Sequence, residues 1–358
     1  MTTPEELEQQ IAELKAENNK LRIRINDYDS SWKATRKKLE GPSLKKMLAT
    51  RYNTIDSIAG KQEFSNHPLL NIPQKLRIYE FAASHGIQTP KIYKSYLHLN
   101  EVDLDELPDK FVLKSDGGAS SEGVLPLRRI GKDSYQRVDG HKTFTGEEVI
   151  DFFRQAQKKG TAYGVFFAEE LLEQTDGNPI PDDIKIYTMF DAVSHVHLRR
   201  VDEHGSVGRS RSRYLSADKE DLGDINPLHA IDSSVPIPDN FDELCEIALH
   251  LTRAIGLSFV RIDLYNTTRG IVLGEITRGP GPASMYIAPF DAEVGKKWLI
   301  AEARQTLEYQ AGRPVGNLWG DQEYLNLYPA HSEYARQNRL LKKISCSDWC
   351  KAPGYHSL

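Results

Sequence analysis

The chain has 358 residues, with 46 Lys+Arg set against 51 Asp+Glu, a formal net charge of −5. That balance excludes a strongly basic nucleic-acid binder, and with 39% hydrophobic residues the chain can bury a core of two or three units of roughly 100–200 residues each. The longest apolar run, Ala162 to Ala168, is about seven residues, far short of the roughly 20 that a membrane-spanning helix needs.

Met1 is followed by Thr-Thr-Pro-Glu-Glu, without the basic stretch and apolar run of a secretory leader. Three cysteines, Cys245, Cys346 and Cys350, are too few for a disulfide scaffold. No second Cys/His pair stands near Cys346 and Cys350 in the sequence to complete a zinc site. A cytoplasmic protein is expected.

Thr3-Pro4-Glu5-Glu6 predicts a helix start, with Thr3 as cap, Pro4 at the first helical position and Glu6 closing a capping box. Leu7, Ile11, Leu14, Asn18, Leu21, Ile25 and Tyr28 then alternate spacings of four and three. With Ile11, Asn18 and Ile25 at a and the others at d, the pattern favours a parallel two-stranded coiled coil, in which one polar a residue sets the register. Glu17 at g meets Arg22 at e of a partner. The predicted unit is residues 1–40, a homodimerising helix bounded by Ser30-Ser31 and Gly41-Pro42-Ser43.

Residues 44–107 read as a second, mostly helical unit: a helical pattern from Leu44 to about Tyr96, broken at Leu69 to Pro73. Lys75 to Ser84 forms an amphipathic helix stopped by Gly86. Residues 108–320 read as the catalytic body. Lys110 to Lys114 is a strand running into Ser115-Asp116-Gly117-Gly118-Ala119-Ser120-Ser121-Glu122-Gly123 and a returning strand from Val124 to Leu127. Such a hairpin of small residues lets backbone N–H groups approach an anion, with Lys114 adding a charge for phosphate. Tyr163 to Ala168 is a buried strand ending in Glu169-Glu170-Leu171-Leu172. In Asp182 to Phe190, Asp183 and Lys185 share one face. His195 to Arg200 is a further strand, with His195, His197 and His204 read as structural or exposed.

The alternation of Arg209, Arg211 and Arg213 puts three guanidinium groups on one face, read as holding an acidic substrate. Asn240 to Ile255 is an amphipathic helix with Cys245 as an inert core thiol. Val260 to Tyr265 and Ile271 to Thr277 form an antiparallel pair, so Asp263 and Glu275 are neighbours suited to Mg²⁺, which takes hard oxygen ligands. Residues 321–358 form a tail with one short helix at Ala335 to Lys343 and no function read from it.

The ordered set Phe-Val-Leu-Lys-Ser-Asp-Gly-Gly, Ala-Glu-Glu-Leu-Leu, Asp-Ile-Lys-Ile-Tyr, Val-Arg-Ile-Asp-Leu-Tyr and Gly-Glu-Ile-Thr-Arg-Gly-Pro-Gly resembles the ATP-grasp carboxylate–amine ligases. It is most similar to their TupA-like, teichuronopeptide-biosynthesis branch, over roughly Lys75 to Gly295. The resemblance implies an α+β, ATP-grasp fold, two α+β subdomains gripping ATP, here preceded by the coiled-coil helix. It implies ATP contacts at Lys114, the lid Gly117, Gly118, Ser120, Ser121 and Gly123, the adenine hinge Glu169, Glu170, Leu171 and Leu172, and Asp183 and Lys185.

Asp263 and Glu275 match the Mg²⁺ carboxylates, with Mn²⁺ as a substitute. Thr277 stands where many members carry Asn. The catalytic cations are then Lys114, Lys185, Arg211, Arg213, Arg261 and Arg278. The implied reaction is ADP-forming: a carboxylate takes the γ-phosphate of ATP, and an amine or amino acid displaces phosphate from the acyl phosphate. The branch suggests a uronic acid of a surface polysaccharide or its precursor. A peptide or small-molecule ligase of specialised metabolism, an ATP-dependent phosphotransferase and a non-catalytic nucleotide-binding coiled-coil scaffold stay open.

Overall fold

The computed structural model describes residues 3–118, 121–174, 176–201, 210–280, 285–340, 343–346 and 349, with the side chains of Ser121 and of 34–40 outside that description. Ser120, His204, Arg209 and Cys350 also lie outside the described residues.

Helix α1, Pro4–Glu40, begins with the predicted capping box. Glu6 N–H donates to Thr3 Oγ1 at 3.3 Å and Thr3 N–H to Glu6 Oε2 at 2.8 Å. It runs through Ser30-Ser31, because two serines cost a helix too little to stop it, and ends at Gly41-Pro42. Its apolar seam is uncovered, with Leu14, Ile25 and Tyr28 exposed at 64%, 64% and 72%.

Helices α2 (Leu44–Ile58), α3 (Pro68–Asn71) and α4 (Lys75–Ser84) follow. Helix α4 closes at His85-Gly86 as expected, but the residues beyond it, read as helical in pattern to about Tyr96, form strand β1, Ile92–Tyr96. That strand joins the edge of a six-stranded sheet with β2 (Lys110–Gly118), β3 (Val124–Gly131), β4 (Ser134–Arg137), β5 (Thr143–Phe144) and β6 (Ala162–Glu169). Their order is β1-β6-β2-β3-β4-β5. By the strand period of two, Phe111, Leu113, Phe166 and Ala168 face helix α5 (Gly146–Lys158) and its Val149 and Phe153. Lys114 and Glu169 therefore face the other way.

The second sheet holds β7 (Asp183–Met189), β8 (Ala192–Val201), β9 (Ser210–Leu215), β10 (Ala230–Ile231), β11 (Val260–Thr267) and β12 (Gly270–Thr277), in the order β10-β9-β8-β7-β11-β12. Ile184, Ile186, Val196, Leu198, Ile262 and Leu264 bury one face under Leu244, Ala248 and Leu251 of helix α6, Phe241–Ile255. Cys245 is a buried free thiol on that helix, its pKa pushed up by burial to about 12. Helix α7 (Ala288–Gln310) packs against α2, with Phe290, Val294 and Trp298 against Leu44 and Leu48. Gly295 is required there, since a Cβ would lie 2.2 Å from Ser43 N.

The tail folds back on the body through β13 (Leu318–Trp319), α8 (Glu333–Leu340) and β14 (Ile344–Ser345), with β13 and β14 paired in parallel. Leu327 N–H donates to Glu80 Oε1 at 2.8 Å, and Tyr328 O–H to Asp116 Oδ2 at 3.0 Å. Among the described residues no helix is long and apolar enough to cross a membrane.

Candidate active site

The cleft face of the second sheet carries the charge. Asp263 sits opposite Lys185 across β11 and β7, and opposite Glu275 across β11 and β12. Lys185 Nζ lies 2.5 Å from Asp183 Oδ2 and 2.6 Å from Asp263 Oδ2. Burial works against the Lys185 charge, but Asp183 and Asp263 outweigh it and hold its pKa above the usual value.

Arg261 is the hub of the site. Its Nε donates to Asp263 Oδ1 at 2.6 Å and its Nη2 to Asp263 Oδ2 at 2.8 Å. The same Nη2 donates to Thr277 Oγ1 at 3.2 Å and lies 3.8 Å from Glu275 Oε2. One cationic nitrogen is thus ringed by oxygens of Asp263, Glu275 and Thr277, three of the side chains picked out in the sequence. These are the hard donors that Mg²⁺ and Mn²⁺ take, so the residues fit a divalent cation. Burial opposes the Asp263 charge, yet Arg261 and Lys185 outweigh it and hold its carboxyl below the usual range.

The first sheet supplies the opposing wall. Lys114 Nζ is 2.5 Å from Glu169 Oε1, with Glu169 buried and Lys114 largely so. The one O–H proton of Tyr79 on α4 is shared between Glu169 Oε2 at 3.1 Å and Gly274 C=O at 3.2 Å. That hydroxyl joins the lysine pair of one sheet to the strand carrying Glu275 in the other.

Lys75, which the sequence reading left out, belongs here as well. Its Nζ donates to Gly118 C=O at 3.3 Å, and burial lowers its pKa while Glu275 acts to raise it. A cation in the first turn of a helix opposes the helix dipole. Lys75 at the head of α4 was therefore a legible anomaly. Asp116 was missed too: its Oδ1 accepts from Leu76 N–H at 2.8 Å and its Oδ2 from Tyr328. It seats the head of α4 and the tail against β2.

The predicted lid is partly strand. Gly117 and Gly118 continue β2 and pair with Tyr163 and Ala162 of β6. Gly118 has φ +130°, and a Cβ there would lie 2.3 Å from Thr161 O, so only glycine fits. Gly123 closes the short 3₁₀ turn Ser121–Gly123. Beside it Glu122 Oε2 accepts from Thr161 Oγ1 at 2.8 Å.

At the expected hinge, Glu169 turns inward as the partner of Lys114. Glu170 N–H donates to Lys91 C=O at 2.9 Å, and its carboxylate holds Arg269 at 2.8 Å. Leu171 and Leu172 follow without a backbone hydrogen bond among the described residues.

The structure does not bring Arg211 and Arg213 to this cleft. Arg213 is registered opposite Leu198 on the face that α6 covers, where it bonds Asp221 at 2.8 and 2.7 Å and Val235 C=O at 3.0 Å. Arg211 is two residues away on the same face, 3.7 Å from Asp232. The strand period put them together as read; the register decides which side they take. Arg199 of β8, opposite Asp183, does lie on the cleft face. Arg278 reaches Leu69 C=O with its side chain, while its own C=O accepts from Arg51 Nη1 at 2.9 Å.

Beyond Lys185 the cleft face becomes a neutral aromatic wall. Tyr187 stacks on His195 at 4.1 Å and Tyr214 on His197 at 4.4 Å. Tyr286 O–H and His195 Nε2 share a hydrogen bond of 2.7 Å. Burial lowers His195 to about 3 and His197 well below its usual value.

The TupA-like ATPgrasp family profile matches residues 57–299. No curated protein gives a match. Among solved structures, D-alanine–D-alanine ligase from Bacillus anthracis is 15% identical over 69% of this chain and 71% of that chain, with a TM-score of 0.43. N5-carboxyaminoimidazole synthetase from Staphylococcus aureus, complexed with ADP, is 10% identical over 60% of this chain and 47% of that chain, with a TM-score of 0.38. A RimK domain ATP-grasp protein from Sphaerobacter thermophilus is 8% identical over 66% and 67% of the two chains, with a TM-score of 0.37.

Proposed function

Because the chain belongs to the TupA-like ATP-grasp family, we propose that it is an ADP-forming ligase that joins an amine or amino acid to a carboxylate. The carboxylate on this reading is a uronic acid of a surface polysaccharide or its precursor, and the reaction runs in the cytoplasm. The observation that carries the ligase reading is the ring of Asp263, Glu275 and Thr277 oxygens around one cationic nitrogen. It stands beside Lys185 and across from Lys114 and Lys75.

Asp263, Glu275 and Thr277 would hold a divalent cation, which when bound would supply charge to screen the phosphates and polarise the γ-phosphoryl group. Arg261, once freed from Asp263 and Thr277, would offer its guanidinium to the transferring phosphoryl oxygens. Lys114, Lys185 and Lys75 bind the polyphosphate as fixed point charges. Leu171 and Leu172 present their backbone to the adenine edge. The substrate carboxylate attacks the γ-phosphorus, ADP leaves, and the amine displaces phosphate from the acyl phosphate. Negative charge gathers in both steps, so preorganised cations do the catalytic work. Closure of the glycine strand over the site excludes water from the acyl phosphate.

Helix α1 fits a parallel coiled coil with a second copy, its Leu7, Ile11, Leu14, Leu21 and Ile25 lying bare to solvent. A partner helix covering that seam removes their apolar surface from water.

The test is an ADP-release screen of amino acids against acidic sugars and peptides, with mass spectrometry of the products. The reading expects ADP, inorganic phosphate and an amide in equal amounts. A stable phosphorylated product with no amide assigns phosphotransfer instead.

A further inference from the structure

A cluster far from the cleft joins the tail to the body. His85 caps the end of α4, His250 lies on α6, and Cys346 follows β14. The sequence offered no Cys/His pair near Cys346, but the fold brings two histidines to it. The ligand atoms of the three all lie within 4.8 Å of one another. We infer that the reduced protein holds a zinc-class divalent cation at His85, His250 and Cys346, and that this cation staples the C-terminal segment to α4 and α6. The inference does not depend on the ligase reading.

The nitrogens are already near ligand spacing. His85 Nδ1 and His250 Nε2 are 3.0 Å apart, with rings at 79°. Tetrahedral zinc with bonds of about 2.0–2.1 Å sets two nitrogens about 3.3 Å apart. The tautomer of His85 is also fixed. Leu318 C=O can only accept, so His85 Nε2–H donates to it at 3.0 Å, leaving the Nδ1 lone pair aimed at His250. Ligating histidines are oriented in this way by an outer carbonyl.

The Cys346 sulfur is disulfide-bonded in the structure, so metal binding and the disulfide are alternatives. A dithiol reductant opens the S–S bond. Its two electrons and two protons pass to the two sulfurs, and it leaves as its own disulfide. The cation then takes the Cys346 thiolate and releases that proton. A water molecule completes the tetrahedral shell.

The position gives the cation a task. Cys346 N–H donates to Trp319 C=O at 2.8 Å, in register with the β13–β14 pair. The chain between those two strands carries Tyr328, whose hydroxyl donates to Asp116 on β2, next to Gly117 and Gly118. A staple here fixes the segment that braces the active-site wall.

The full chain, reduced by a dithiol without air, loaded with Zn²⁺ and desalted, is assayed for metal by mass spectrometry. About one zinc per chain is expected, falling roughly tenfold or more in His250→Ala and in Cys346→Ser. The oxidised protein should take up correspondingly less. Should the variants fail to fold, Co²⁺ in the reduced wild type decides. Thiolate-to-cobalt charge transfer in the near ultraviolet with tetrahedral d–d bands supports the site; a folded, reduced, cobalt-loaded protein without the thiolate band overturns it. Zinc retained at the wild-type level by folded Cys346→Ser overturns it as well.

Discussion

Replacing Lys75 with methionine separates a binding cation from a structural one. The Lys75 ammonium is buried, and its one hydrogen bond among the described residues is to Gly118 C=O at 3.3 Å. Methionine keeps the unbranched stem in place and removes only the charge. A hydrogen bond to a charged group is worth about 1.5–3 kcal/mol, and each 1.4 kcal/mol is about tenfold. Loss of a phosphate contact should therefore lower kcat/KM for ATP by about 10- to 100-fold. Stability should move the other way, because a poorly compensated buried charge is replaced by an apolar side chain. Tm should hold or rise by about 2–4 °C for each kcal/mol gained. Steady-state ADP release at several ATP concentrations, beside a thermal melt, reads both quantities. An unchanged kcat/KM, or a Tm lowered by several degrees with activity kept, refutes the assignment.

Glu275→Gln should abolish ADP release while the melt and circular dichroism stay as in the wild type; near-normal turnover removes Glu275 from the cation shell. Asn18→Leu should change the oligomeric state or the register of the coiled coil, and identical masses by light scattering with identical helix register by cross-linking contradict that role. Asp263 has its folded pKa depressed, so it adds stability that is full above its ordinary pKa of about 3.9 and is lost as pH falls through the lower folded value. Asp263→Asn should then flatten the acid limb of Tm against pH below about 4. An acid limb identical to the wild type sinks that assignment.

What was legible in the sequence was local. Thr3 and Glu6 meet within one turn, so their capping box needed no tertiary information. Strands β2, β6, β7, β11 and β12 each show apolar runs or alternation that end at a polar motif, and all five are present. Strand β1 was lost because its Tyr93, Lys94 and Ser95 are partly solvated at a sheet edge and leave no clear period. The sequence placed Asp263 beside Glu275 because a short hairpin joins them. It could not place Arg211 and Arg213, since their common face follows from the period but its side of the sheet follows from pairing with β8. Lys75, Tyr79 and Asp116 meet the cleft only through packing of α4 between the two sheets. His85, His250 and Cys346 come from three distant segments, beyond any spacing rule.

Crystals of the protein with a non-hydrolysable ATP analogue and Mn²⁺, measured for anomalous scattering at the manganese edge, address the catalytic centre itself. The peak should lie within bonding distance of Asp263 and Glu275 and of the β- and γ-phosphate oxygens, with Arg261 Nη2 displaced from their carboxylates toward the phosphate. A manganese peak elsewhere, or a triphosphate bound with Arg261 still clasping Asp263, contradicts the account.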